Sequence, residues 1–416
     1  MSSIPPAPSA ARGATFAVVI LTAMNLLNYV DRWVPSAVKE LFKADLHLSD
    51  TETSLPITSF VVVYMIASPI FGALADKYRR NVLIAAGVAL WSLATVGAGL
   101  VSGFWSFLVA RALVGIGEAA YATLAPSVLS DFYPPSRRNR ILTIFYVAIP
   151  VGSALGFIAG GQLGVRFGWR AAFMLCGLPG LIASLFALFM REPQRGTFDP
   201  PSPSLPGWPA ALRALQRNRE FVTTVAGYTA VTFASGALAD WFPAFLVRHR
   251  GFAIDQAGSI IGASSVIGGL AGTAAGGFLG DWLQGRFRKP YLALSALSMA
   301  GATLCIVVAL LVRDHTWIFA LMLIAQFLFW FYNGPVNTIL VNCVAADLRA
   351  RAFSISILAI HLLGDAISPS LVGYASDTIG LTRAIAIVPV ATLAGAAIWT
   401  WGWKSLPEGS PAVAAS

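Results

Sequence analysis

Six ionisable side chains stand inside stretches otherwise apolar enough to cross a bilayer: Asp31, Arg32, Arg111, Glu118, Asp240 and Asp365. Each costs roughly 3 kcal/mol at mid-span, so lipid exposure of all six would cost on the order of 18 kcal/mol. They are expected to face a cavity or one another. Carboxylates held out of water can be tuned to take up and release protons, and arginine forks can grip an anion. Position groups four of them. Asp31 and Arg32 lie about seven residues short of the outer end of the first apolar stretch, and Arg111 about six residues below the outer start of the fourth. Equal depth follows. Glu118 comes seven residues after Arg111, two turns along the same face and about 10.5 Å deeper. Two arginines and two carboxylates are therefore expected to line one pocket. The competing reading is a buried ion-pair network that locks two helices, an expensive device where Gly and Ala would serve. His361 and Asp365 form an i,i+4 pair able to hydrogen-bond, read equally as a clasp or as part of a site. Asp240 lies near the outer interface and is a weaker candidate.

The elements that must carry these groups follow from composition. Hydrophobic residues make up 57% of the chain and charged residues 11%, against roughly 45–50% and about 25% in soluble domains. Apolar runs near the required ~20 residues recur at about 14–38, 53–75, 81–102, 105–130, 139–163 and 169–190. They resume at about 219–247, 256–283, 290–312, 316–345, 351–376 and 383–404. Lipid offers backbone amides no partners, so such runs must be helices. The expected fold is an all-α membrane protein with twelve transmembrane helices in two pseudo-symmetric six-helix bundles, 14–190 and 219–404. Residues 1–13 and 405–416 are expected to be tails, the first disordered. The linker, 191–218, holds six prolines that forbid a continuous helix, and its end, Trp208 to Arg217, can form an amphipathic helix on the membrane surface. Asp31 and Arg32 interrupt the first apolar run, which is not a signal-peptide core.

With the N-terminus inside, 18 of the 28 Lys and Arg fall on the cytoplasmic side. This asymmetry predicts cytoplasmic termini and accounts for the net charge of +9 without nucleic acid. Cys176, Cys305 and Cys343 all lie in apolar runs, which argues against a disulfide framework or a metal centre. No GxxxxGK[ST] loop is present for an ATP-driven pump. Four scattered histidines make no catalytic set, so no enzyme activity and no cofactor are expected.

The halves read as repeats. Gly72-Ala73-Leu74-Ala75-Asp76 closes the second run, and Gly277-Phe278-Leu279-Gly280-Asp281 closes the eighth. Basic loops follow both. Such repetition is a common construction of secondary transporters, whose substrate site lies between the halves. Glycines at four-residue spacing, Gly152, Gly156 and Gly160 in the fifth run and Gly268, Gly272, Gly276 and Gly280 in the eighth, put smooth faces on two helices. These faces serve either packing within a half or rocking between halves; Gly152, Gly156, Gly160, Gly268, Gly272 and Gly276 are expected to pack between the domains.

Five segments resemble the major facilitator superfamily and, within it, the spinster branch: NYVDR (28–32), GALADKYRRN (72–81), RALVGIGEAAYATLAPS (111–127), FYVAIPVGSALGFIAGG (145–161) and HLLGDAISP (361–369). Arg79 stands where the superfamily's loop motif usually has glycine. The resemblance implies a carrier that opens alternately to each side, driven by an ion gradient or by the substrate's own. Spinster relatives are associated with sphingoid phosphates and lysophospholipids, and WFYNGPVN (330–337) departs from the animal pattern. By matched position Glu118 and Asp31 are the proton-coupling residues. Arg111 and Arg32 are the substrate-binding pair, with Tyr29, Tyr121, Asn333, His361 and Asp365 added around them. Asp76, Arg80 and Asp281 fall to the cytoplasmic gate. Expected partners are an amphiphilic or anionic small molecule, protons and the bilayer. The chain is expected as a monomer in the cell (inner) membrane. The organic-anion/proton symporters, which share a Tyr-x-Asp-Arg motif, are the competing branch, and a receptor that does not transport is a further alternative.

Overall fold

The computed structural model describes residues 8–195, 198, 207–345 and 348–406. The first half holds α1 (Pro8–Ala37), α2 (Lys39–Leu46), α3 (Asp50–Lys77), α4 (Arg80–Ala98), α5 (Phe104–Phe132), α6 (Pro135–Phe167) and α7 (Trp169–Leu188). The second holds α8 (Trp208–Arg217), α9 (Arg219–Arg250), α10 (Ile254–Leu283), α11 (Pro290–Leu311), α12 (His315–Trp330), α13 (Asn333–Asn342), α14 (Arg349–Ile360), α15 (Ser368–Ile379), α16 (Leu381–Ala384) and α17 (Ile387–Ser405). Among the described residues twelve helical spans are long and apolar enough to cross a membrane; α12 with α13, α14 with α15, and α16 with α17 each make one. The chain is an integral multi-pass membrane protein with an all-helical fold.

Local chemistry sets the helix ends. Ser49 accepts from the Glu52 amide while the Glu52 carboxylate accepts from the Ser49 amide, a reciprocal cap on α3. Asn218 caps α9 through the Phe221 amide, and Asp314 caps α12 through Trp317. Gly251, with φ +72°, ends α9 in the left-handed region that glycine enters freely. Helix α1 begins at Pro8, inside the stretch expected to be a disordered tail. Proline is tolerated in a first helical turn, and Ser9-Ala10-Ala11 then offers no breaker; residues 1–7 lie outside the described residues. In the linker the amphipathic helix forms as α8, burying Ala211 and Leu215 and leaving Trp208 and Leu212 exposed. Residues 196–197 and 199–206 of the linker, and 407–416 of the C-terminal tail, lie outside the described residues.

The described residues divide into two compact units, Met1–Pro201 with Ile254–Ser259 and Ser202–Ala253 with Ile260–Ser416. In the first, α1 packs on α6 and α7, α3 and α4 on α5, and α4 on α7; in the second, α9 and α11 pack on α17 and α11 on α12. The pairings of spans one with six, three with six and three with four thus recur as seven with twelve, nine with twelve and nine with ten. The repeat seen in sequence is a repeat of packing.

Packing also decides between the two readings of the glycine rows. A Cβ at Gly152, Gly156 or Gly160 would stand 2.5 Å from the Leu26 carbonyl oxygen, 2.6 Å from that of Val30 and 2.9 Å from Ala37 Cβ, all on α1. Cβ atoms at Gly268, Gly272 and Gly276 would collide with the Phe327 and Phe331 backbone, and one at Gly280 with Tyr291. Both rows seat helices of their own unit, correcting the expectation that Gly152, Gly156, Gly160, Gly268, Gly272 and Gly276 pack between domains. Without side chains these faces admit a neighbouring backbone, and that neighbour is local.

Between α1 and α3, the loop-side carboxylate Asp45 accepts from Arg170 and from Trp169 Nε1, the latter at 3.3 Å. The Arg170 hydrogen bond holds the Asp45 carboxyl below its ordinary range. A depressed carboxylate contributes stability above its unfolded value of about 3.9 and loses it as pH falls through the folded value. Asp45→Asn is therefore expected to lower the melting temperature slightly at pH 7, with the gap from wild type closing below about pH 4. A gap that is constant from pH 7 to pH 3 would assign it to something other than this ion pair.

Candidate functional site

Close helix approach builds the site. A Cβ at Gly115 would lie 2.5 Å from the Phe60 carbonyl oxygen on α3, and one at Gly117 would lie 2.5 Å from that of Gly87 and 2.6 Å from the Trp91 amide on α4. The Gly-Ile-Gly-Glu run thus lets α5 sink between α3 and α4, and delivers the next side chain, Glu118, to the interior.

There Arg32 Nη2 donates to Glu118 Oε2 at 2.6 Å; the Glu118 side chain is fully buried and Arg32 partly exposed. Aromatic rings enclose the guanidinium: its central carbon lies 4.6 Å from the Tyr29 ring centroid, 5.1 Å from Phe60 and 5.7 Å from Tyr64. Arg111 stands 5.1 Å from the same Phe60 ring, so two arginines share one π surface. Asp31 and Arg111 are each 1% exposed. Both Asp31 oxygens, Glu118 Oε1 and Arg111 Nε and Nη1 are buried without a hydrogen-bond partner. Unsatisfied buried donors beside unsatisfied buried acceptors are costly in a structural network. They are the expected state of a binding pocket.

The arrangement differs from the sequence expectation in one respect. Equal depth grouped Asp31 and Arg32 with Arg111, with Glu118 two turns away. Instead Arg32 reaches Glu118, because an arginine side chain spans more than one helical turn. Asp31 and Arg32 are consecutive, hence about 100° apart around α1, and Asp31 is enclosed with neither carboxylate oxygen in a hydrogen bond. Tyr29 is at the site, under Arg32. Tyr121 is not: it is buried against Trp91 and Phe145, and its hydroxyl donates to the Leu21 carbonyl at 2.5 Å. That bond satisfies a buried phenol and commits Tyr121 to the core, correcting its assignment to substrate.

In the second unit, His361 Nδ1 lies 3.0 Å from both oxygens of Asp365. The pair occupies a π-helical turn, His361–Asp365, in which Gly364 leaves helical geometry; such turns accompany functional positions. Tyr228 and Tyr332 meet edge-on in the same unit, with ring centroids 5.4 Å apart. Asn333 opens α13, where its carbonyl and its side-chain oxygen accept from Asn337 Nδ2 at 2.8 and 3.1 Å.

The loop motif holds together through partners that sequence reasoning did not name. Arg80 is buried and reaches Asp131 at 2.6 Å, Glu192 at 3.2 Å and the Pro193 carbonyl at 3.1 Å. Asp76 is 85% exposed, and Arg195 approaches it at 3.9 Å. Asp281 accepts from the Tyr291 hydroxyl at 2.9 Å. Asp131 and Glu192 close spans four and six on the side of the basic loop, and an acid at each junction was the available signal. Removing one partner of a buried ion pair costs about 3 kcal/mol. Arg80→Ala is accordingly expected to lower the melting temperature by several degrees, and adding Asp131→Asn should cost less than the two changes separately. Strict additivity would mean that the pair is not coupled.

Comparison with known proteins bears on the whole chain. The model of the Major Facilitator Superfamily matches residues 21–369. Protein spinster homolog 1 of Rattus norvegicus is 36% identical over 399 residues, covering 88% of this chain and 73% of the relative. The Homo sapiens spinster homolog 1 is 36% identical over 386 residues, covering 86% and 72%. A solved structure described as a bacterial homolog to the human lysosomal transporter spinster, inward-facing and unoccupied, shares the fold with TM-score 0.81 at 24% identity, covering 93% of this chain and 96% of that one. The chain belongs to the Major Facilitator Superfamily, and within it to the spinster-type transporters.

Proposed function

We propose that this protein is a secondary active carrier that works by alternating access and moves an anionic amphiphile together with a proton. The observation that carries the reading is the pocket of the first unit. One guanidinium, Arg32, is held by Glu118 at 2.6 Å, and a second, Arg111, keeps buried donors without a partner beside Asp31. With both carboxylates ionised, the four charges compensate one another. A proton taken by the Glu118 carboxylate removes its charge and loosens its hold on Arg32. The freed fork and Arg111 can then accept a phosphate or carboxylate through paired N–H donors. Proton and anion therefore bind cooperatively, and the aromatic and apolar walls take up the tail of a sphingoid phosphate or lysophospholipid.

The remaining assignments follow from this role. His361, Asp365 and Asn333 are substrate-binding residues within the second unit; Arg80 and Asp76 of the first unit and Asp281 of the second are gating residues, each within its own unit. The protein works as a monomer in the cell membrane, with both termini in the cytoplasm.

The test is a thermal-shift screen of the purified protein against lysophospholipids, sphingoid phosphates and short-chain organic anions. Stabilisation by the long-chain anions, growing as pH falls, is expected. Stabilisation by short organic anions alone would place the protein with the organic-anion symporters, and no stabilisation by any anion would overturn the pocket's role.

A further inference from the structure

Two cations of the first unit rest on one ring. The Arg32 and Arg111 guanidinium carbons each lie 5.1 Å from the Phe60 ring centroid, so no more than twice that distance separates them. Like charges this close repel, and more strongly where water is excluded. Glu118 restrains Arg32 at 2.6 Å, whereas Arg111 Nε and Nη1 are buried without a hydrogen-bond partner.

Backbone contact sets where the ring stands. Phe60 is 3% exposed. On α5, a Cβ at Gly115 would lie 2.5 Å from the Phe60 carbonyl oxygen and 3.2 Å from the Tyr64 amide nitrogen. Gly115 follows Arg111 by four residues, on the same face of α5. The bare face that lets α5 touch α3 therefore also brings Arg111 to Phe60. Tyr64, one turn after Phe60, and Tyr29, three residues before Arg32, add two further rings at 5.7 and 4.6 Å from the Arg32 guanidinium carbon.

A ring differs from a carboxylate as a partner for arginine. Its quadrupole attracts the whole cation without offering an oxygen acceptor, so the N–H donors stay available to an oxyanion. It also carries no proton to gain, and keeps its hold when a carboxylate is neutralised. We propose that Phe60 is a positioning residue that keeps Arg32 and Arg111 on one surface, within reach of one anionic head group, once Glu118 no longer holds Arg32. Without the ring, repulsion between the two guanidinium groups would part them at the moment the anion must be gripped. The positioning role rests on the reading of the pocket as an anion site, whereas the contact of two cations with one ring does not.

Two measurements on the purified full-length protein separate these parts. Replacing Phe60 by phenylalanines with one, two and three ring fluorines weakens the negative face stepwise and leaves the ring nearly the same size. The first measurement is the melting temperature along this series, in the wild type and in Arg32→Gln and Arg111→Gln. A stepwise fall is expected in the wild type, and a shallower one in either Gln background. A flat wild-type series, or one equally steep in both Gln backgrounds, overturns the platform whatever the protein transports. The second is the affinity for dodecyl phosphate along the same series in Glu118→Gln, where Arg32 has lost its charged partner. Affinity should fall about tenfold from phenylalanine to the trifluorinated ring, the order expected for a desolvated cation on a ring face, and Phe60→Leu should lose at least as much. Affinity that is independent of fluorine number overturns the positioning role. Unimpaired binding in Arg111→Ala overturns the anion-site reading on which that role rests, and leaves the melting series to stand by itself.

Discussion

Glu118→Gln is expected to exchange substrate across proteoliposome membranes at close to the wild-type rate, yet to accumulate none under a pH gradient. The amide keeps the size and hydrogen-bonding reach that Arg32 meets at 2.6 Å but can neither lose nor gain the proton. One proton carried with a monoanion across one pH unit supports about a tenfold concentration ratio, since each unit is about 1.36 kcal/mol. The wild type should approach that ratio on the alkaline side, and the variant should stay near one. The substitution leaves Arg32 without a charged partner at every pH, so exchange is expected to lose its dependence on pH as well. If Glu118→Gln concentrates substrate with the wild-type pH dependence, the four charges are a structural network.

Arg111→Ala is expected to lose binding itself. Arg111 is 1% exposed and keeps two buried donor atoms unpartnered, so an anion that fills them gains charge-assisted hydrogen bonds in a desolvated place. Truncating such a contact typically costs 2–5 kcal/mol, or roughly thirtyfold and more in affinity. Arg111→Lys keeps the charge but not the planar fork and should fall between the two. Because removing the guanidinium also leaves Asp31 and Glu118 less compensated, the melting temperature of each variant is measured alongside. A variant that melts as wild type and binds as wild type would remove Arg111 from the site.

Much of this was legible in the residues, for reasons that can be named. Span number follows from apolar length, and buried charges announce themselves because each is so expensive. Helical spacing then fixes height along a span and the angle between residues of one span. It does not fix which way the helix is turned toward its neighbours. That missing rotation explains the differences: Tyr121 turned into the core, and the glycine rows turned onto helices of their own unit. Partners contributed by other helices were invisible for the same reason. Phe60 and Tyr64, one turn apart on α3, form the platform for Arg32, but nothing in their own segment tells them from lipid-facing aromatics. Asp131 and Glu192 are ordinary interfacial acids until Arg80 is seen between them.

The central claim, that proton and anion share one pocket, is tested most directly by recording both fluxes together. In wild-type proteoliposomes with an interior pH dye, addition of a long-chain anionic substrate without an imposed gradient should drive protons in the same direction as the anion. The two fluxes should saturate at the same substrate concentration, and both should be absent in Glu118→Gln when net movement is recorded. Substrate uptake in the wild type with no accompanying proton movement would contradict the account.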